Sequence, residues 1–305
     1  MKKYVVSNVI FTTLFLMIIL PLCYLLYDYI IHYGAIPAAA KGPLNVSNVP
    51  YNTVNKDFTG MEEYASKVVV LMYHQVIPKE KLEKHHFQDN GELEETIITL
   101  ENFQSQMDYL KENHYTVLSL KEFELFMTGE KRVPAKSVLL TFDDGFKNVF
   151  EFAYPVLKDH GFQAVHFLIT GLITKEDVHY KPALHQYASI DEVRKSSDVF
   201  DYGNHTNMFH QKNKNGMSFV TAYDKAEVKE DLVRANEWLG QSITFAAPYG
   251  EYNEETLEIL QELNTKMAFT VNPGYAEPFG RSLEIPRWQV FPKLSLDDFK
   301  DILGE

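Results

Sequence analysis

Two short stretches carry side chains whose types and spacing suit metal-assisted hydrolysis. "TFDDGF" (Thr141–Phe146) ends an apolar run on two adjacent carboxylates, Asp143 and Asp144, followed by a glycine. "HTNMFH" supplies His205 and His210. Asp-Asp-Gly alone is ordinary turn chemistry, and paired histidines alone are ordinary loop composition. Together they match the donors of a catalytic metal centre, where two neutral imidazoles and one carboxylate hold a divalent ion and leave positions open for water. The spacing of the histidines fits a loop curling round an ion better than one face of a straight helix. One Asp of the pair completes the ligand set, and the other is then free to take a proton from water. His74, which closes "KVVVLMYH", is placed to protonate a leaving group. "APYG" adds Tyr249, and "EIPRWQV" adds Arg287 and Trp288. Trp288, Phe209 and Tyr249 could form an aromatic wall beside these groups, the competing reading being barrel packing.

These residues need elements that bring them to one rim. Short β-branched runs predict strands at "KVVVLMYH", "YTVLSL", "SVLLTF", "AVHFLIT", "VFDYGN", "ITFAAP", "MAFTV" and "EIPRWQV". Helices are predicted between them: "LENFQSQMDYLKEN", "LKEFELFMTG", "NVFEFAYPVLKDHG", "SIDEVRKSS", "YDKAEVKEDLVRANEWLG", "NEETLEILQEL" and, last, "SLDDFKDIL". Strands alternating with helices argue for parallel pairing and right-handed crossovers. About seven or eight such units point to an α/β fold of the closed or nearly closed barrel type. Every candidate residue then lies at the C-terminal end of a strand, the face on which such barrels carry chemistry. Residues 83–99 interrupt the alternation and read as a surface insertion.

"TFDDG", "HTNMFH" and "APYG", in this order, resemble the polysaccharide deacetylase family, the NodB-like carbohydrate esterases. The resemblance covers roughly Lys67 to Leu303. It implies an irregular (β/α)7-type barrel, Asp143 as general base, and Asp144, His205 and His210 as ligands of one divalent ion. Zinc is the first expectation, and cobalt, nickel or iron suit the same ligands. The C-terminal stretch has no histidine, whereas most members carry their general acid there. "LMYHQV" ahead of TFDDG resembles instead the permuted branch that includes deacetylases of poly-β-1,6-N-acetylglucosamine in biofilms, so His74 takes the acid role. Ala246 stands where many members have an arginine that orients the catalytic Asp, and Arg287 is the candidate replacement. Tyr249, Trp288 and Arg287 are the expected substrate or oxyanion contacts.

Composition sets the surroundings. The 305 residues carry a formal net charge of −13, and the pI is about 5.3. A phosphate backbone is a poor partner for such a chain, which argues against nucleic-acid binding. The single cysteine, Cys23, forbids an intramolecular disulfide. After Lys2 and Lys3 the chain is apolar from Val5 to Leu26, long enough for one bilayer crossing. Residues 1–34 are therefore expected as a cytoplasmic start and single-pass membrane anchor, 35–66 as a linker and 67–305 as the deacetylase domain, outside the cell. "AIPAAAKG" is the alternative, a cleavage site that would release a secreted protein.

The expected activity is metal-dependent N-deacetylation of an extracellular N-acetylglucosamine polymer, with poly-β-1,6-N-acetylglucosamine leading. An N-acetylated polysaccharide, the membrane and the exopolysaccharide synthesis machinery are the expected partners. Peptidoglycan or another surface glycan is the alternative substrate, and sugar O-deacetylation an alternative reaction. A non-catalytic glycan-binding pseudoenzyme is the alternative of another class, and retention of Asp143, Asp144, His205, His210 and His74 argues against it.

Overall fold

The computed structural model describes residues 2–33, 38–46, 50–240 and 243–305. They fall into two units, Met1–Ala38 and Ala39–Glu305. The first is helix α1 (Lys2–Tyr33), which over Asn8–Leu26 is long and apolar enough to cross a membrane. Part of the stretch considered as a cleavage site, residues 35–37, lies outside the described residues.

The second unit runs in chain order through α2 (Pro50–Thr53), β1 (Val68–Tyr73), β2 (Gln75–Ile77), β3 (Ile97–Thr99), α3 (Leu100–Glu112), β4 (Thr116–Val117), α4 (Leu120–Met127) and β5 (Ser137–Phe142). There follow α5 (Tyr154–His160), β6 (Ala164–Leu168), α6 (Ile190–Lys195), β7 (Phe200–Asn204), α7 (Phe219–Ala222), α8 (Lys225–Leu239) and β8 (Thr244–Ala246). The last elements are α9 (Glu254–Glu262), β9 (Met267–Phe269), β10 (Tyr275–Ala276), β11 (Trp288–Gln289) and α10 (Leu296–Leu303). Strands β1, β5, β6, β7, β8 and β9 pair in parallel in that order. The segment 285–290 then spans the gap. Ile285 bridges Phe269, and β11 lies parallel to β1 with Trp288 opposite Leu71. The result is the expected irregular barrel, a strongly curled sheet with helices outside.

Strand alternation divides the core into two layers. Val68, Val70, Leu139, Val165, Phe167, Met267, Phe269 and Ile285 pack together inside the barrel. Val69, Leu71, Tyr73, Val138, Leu140 and Phe142 face outward onto Phe103, Met107 and Leu110 of α3. Helix ends follow the local sequence. Ser119/Glu122, Ser189/Glu192 and Ser295/Asp298 form capping boxes at the starts of α4, α6 and α10.

Two expectations are corrected here. The 83–99 region is more than a surface insertion, because β3 pairs with β2 and buries Ile97 and Ile98. Residues 39–46, part of the stretch expected as a linker, dock on the barrel. Ala40 N–H bonds Ile173 O at 2.7 Å, Leu44 N–H bonds Trp238 O at 2.7 Å, and Arg194 Nε donates to Leu44 O at 2.8 Å. Leu44 is 1% exposed. Its isolated apolar side chain has no periodic partners nearby, so the sequence pattern does not show that it is buried.

Candidate active site

Four strand ends converge on one rim. The β5 strand continues one residue past Phe142, with Asp143 N–H bonded to Tyr73 O at 3.0 Å. The chain then turns sharply, with Asp144 at φ 75° and Gly145 at φ 85°. Aspartate tolerates the left-handed region and glycine enters it without steric cost. This turn sends the two neighbouring carboxylates to different partners.

Asp143 points into the barrel and is 2% exposed. Arg287, itself fully buried, grips it with two hydrogen bonds, Nη1 to Oδ1 and Nη2 to Oδ2, both 2.8 Å. The guanidinium is fixed in turn by Thr270 O at 2.9 Å and Thr141 Oγ1 at 3.2 Å. Burial works to raise the Asp143 pKa, but the charge and hydrogen bonds of Arg287 outweigh it and hold the carboxyl below its ordinary range. On the other side, His74 Nε2 lies 4.0 Å from Asp143 Oδ2.

Asp144 faces the two histidines. His205 Nε2 and His210 Nε2 each lie 3.3 Å from Asp144 Oδ1, and the imidazole rings are 4.7 Å apart. His205 Nδ1 contacts Ala246 O at 2.8 Å. A carbonyl only accepts, so Nδ1 carries a proton and Nε2 is the nitrogen turned towards Asp144. Burial pushes the His210 pKa down to about 4, which keeps that ring neutral at physiological pH. Asp144 Oδ1 is buried with no hydrogen-bond partner. An orphaned carboxylate oxygen facing two imidazole nitrogens is costly unless something positive sits among them. Asp144, His205 and His210 are the one group of potential metal ligands found among the described residues. The donor set fits a divalent transition-metal ion.

The sequence-predicted aromatic and oxyanion residues divide. Tyr249 stands at the rim, 44% exposed, with its ring 4.5 Å from that of His210 and its hydroxyl donating to His210 O at 3.2 Å. The Arg287 side chain is sealed behind Asp143, buried away from any open surface on which a substrate or oxyanion could meet it. Trp288 is no wall either. Arg287, just ahead of β11, faces inward, so Trp288 as the first residue of β11 faces outward, where it packs on the outer core layer beside Tyr275 at 5.9 Å. Phe209 packs on Phe219 and Tyr223. Two further residues, outside the sequence candidates, hold the loops around these groups. Tyr187 stacks on Phe146 at 5.2 Å, pinned by Ala188 N–H to Gly145 O at 3.0 Å; a lone tyrosine in a loop gives no sequence signal. Asp231 supports the histidine loop from α8, and its signal was a carboxylate within the buried face Val228, Asp231, Leu232, Ala235.

Comparison with known proteins agrees with this geometry. The family described as polysaccharide deacetylase matches residues 130–268. A poly-beta-1,6-N-acetyl-D-glucosamine N-deacetylase of Staphylococcus aureus (strain MSSA476) is 27% identical over 229 residues, 73% of this chain and 78% of that protein. The enzyme of the same name from Staphylococcus epidermidis is 26% identical over 270 residues, 86% of this chain and 90% of that protein. The solved structure of IcaB from Ammonifex degensii superposes with a TM-score of 0.66 at 25% identity, covering 79% of this chain and 99% of that one. Motif order, barrel and relatives point the same way, and residues 130–268 match the polysaccharide deacetylase family.

Proposed function

We propose that the protein is an extracellular, metal-dependent N-deacetylase of an N-acetylglucosamine polymer, with poly-β-1,6-N-acetylglucosamine as the substrate. The observation that carries this reading is the adjacency of two differently held carboxylates: Asp144 against two imidazoles, and Asp143 between Arg287 and His74. The names of the staphylococcal relatives support the choice of polymer. Helix α1 serves as an uncleaved anchor, with Lys2 and Lys3 on the cytoplasmic side.

A divalent ion held by Asp144, His205 and His210, zinc by preference, would supply Lewis acidity to the acetamide carbonyl and acidify water. Asp143, kept ionised by Arg287, accepts a proton from the attacking water. The hydroxyl adds to the acetamide carbon. The oxyanion that develops is met by the backbone N–H of Tyr249. Protonated His74 gives its proton to the departing nitrogen, and the C–N bond breaks to leave acetic acid and a free amine. The proton on Asp143 then passes across to His74, and both are restored.

The test is acetate release from β-1,6-linked and β-1,4-linked N-acetylglucosamine oligomers and from peptidoglycan fragments, with and without chelator. Fastest release is expected from the β-1,6 series, abolished by chelator and recovered with zinc. Activity untouched by complete demetallation would sink the mechanism. A preference for peptidoglycan fragments would replace the substrate.

A further inference from the structure

The loop that carries His205 and His210 is held in an unfavourable shape. Thr206, a β-branched residue, sits at φ 74°, a strained conformation that persists only where its surroundings enforce it. Three groups of contacts enforce it. Asn204 Oδ1 accepts Thr206 N–H at 2.7 Å while its Nδ2 donates to Leu232 O at 3.0 Å on α8. The turn after β6 adds Thr170 N–H to Thr206 O at 3.1 Å and Gly171 N–H to Asn207 O at 2.9 Å. Gly171 is required by this approach, since a Cβ there would lie 2.5 Å from Met208 Sδ and 2.6 Å from Asn207 O. Finally, Asp231 on α8 accepts both following amides, Asn207 N–H on Oδ1 and Met208 N–H on Oδ2, each at 2.8 Å.

We propose that Asp231 is a positioning residue that sets the metal affinity of the site by fixing the loop between His205 and His210. This rests on the reading of Asp144, His205 and His210 as metal ligands. His205 is already locked by its bond to Ala246 O and by its place at the end of β7. His210 comes at the end of a loop, and its place relative to His205 depends on what holds residues 206–209. The Asp231 carboxylate binds two consecutive amides in the middle of that span and is 6% exposed. A carboxylate has an acceptor for each amide. An asparagine has one acceptor, and its NH₂ would face the second N–H donor-to-donor. Groups that orient metal ligands from behind typically change metal affinity or activity by roughly 10–100-fold when removed.

The experiment measures zinc affinity by chelator competition, and the visible spectrum of the cobalt-loaded protein, for wild type, Asp231→Asn, Asp231→Ala, Asp231→Glu and His210→Ala. Asp231→Asn and Asp231→Ala are expected to weaken zinc binding by roughly 10–100-fold and to alter the cobalt absorption, while the metal-free proteins still unfold cooperatively. Asp231→Glu, which keeps two acceptors, recovers part of the affinity. A merely structural Asp231 would lower the melting temperature of the metal-free protein but leave affinity and spectrum as in wild type, and that result overturns the proposal. If Asp231→Ala does not fold, the near-isosteric Asp231→Asn decides. Failure of the underlying reading looks different: wild type without measurable zinc binding, or His210→Ala binding zinc as wild type does.

Discussion

Asp143 and Asp144 are neighbours in sequence yet meet different partners, because the chain turns through the left-handed region between β5 and Gly145. The proposed roles follow from those partners. His74→Ala is expected to keep zinc and lose kcat by roughly 10²–10⁴-fold, the usual size of an acid contribution. An activated acetyl ester needs less proton donation, so the His74→Ala defect should shrink on it while that of Asp143→Asn persists. Equal losses on both substrates would return His74 to a positioning role. Arg287 can be tested through stability. Arg287→Met leaves a buried carboxylate without its counter-charge and is expected to cost roughly 3–5 kcal/mol at neutral pH. The sign follows from Asp143. In wild type its depressed pKa contributes stability above the ordinary aspartate range, lost as pH falls through the folded-state value. Without Arg287 burial dominates, so the defect should be largest at neutral pH and shrink as acid protonates the carboxyl. Adding Asp143→Asn should restore much of the stability and none of the activity. Denaturant unfolding of the four proteins closes the cycle.

Among the elements, the longer helices were legible, and the strand ends and the shortest helices were not. The face formed by Phe103, Met107 and Leu110 marks α3, and Gly161 and Gly240 stop α5 and α8 in the left-handed conformation at their C-termini. Strand "YTVLSL" shrinks to Thr116–Val117 because Ser119 caps α4 instead. "EIPRWQV" keeps its ladder only at Trp288–Gln289, since this segment divides its pairing between β9 and β1. The short helix α2 has no sequence signal, and it is held from below by Asp201, whose Oδ1 accepts Tyr51 N–H at 2.6 Å while Oδ2 has no partner. Burial raises the Asp201 pKa to about 7 from 3.8. Folded chains therefore bind a proton that unfolded ones release between these values, and stability falls as pH rises from 3.8 to about 7. Asp201→Asn keeps the acceptor for Tyr51 and never ionises. Its melting temperature should exceed that of wild type at pH 8, with the difference vanishing near pH 4. A difference independent of pH would remove Asp201 from this role.

The whole molecule divides at Ala38, and the segment from Ala39 belongs with the barrel. A chain beginning at Ala39 is expected to be soluble and to release acetate. One beginning at Ser47 loses Leu44 from its buried place and its bonds to Trp238 and Arg194, and should be less stable by about 2–4 kcal/mol, from one buried leucine and a few hydrogen bonds. Equal melting temperatures would make residues 39–46 a tether after all. The sequence alone determined the alternation of strands and helices, the rim on which the candidate residues gather, and the apolar helix at the start. These are signalled by short-range patterns: periodicity, capping residues and motifs whose members lie a few positions apart. Tertiary structure alone decided that Arg287 locks Asp143 from 144 residues away, that Trp288 faces the outer layer, and that residues 39–46 dock on the barrel's outer helices. Each depends on which chain segment the curled sheet brings opposite, and pairings across such distances leave no periodic trace in one sequence.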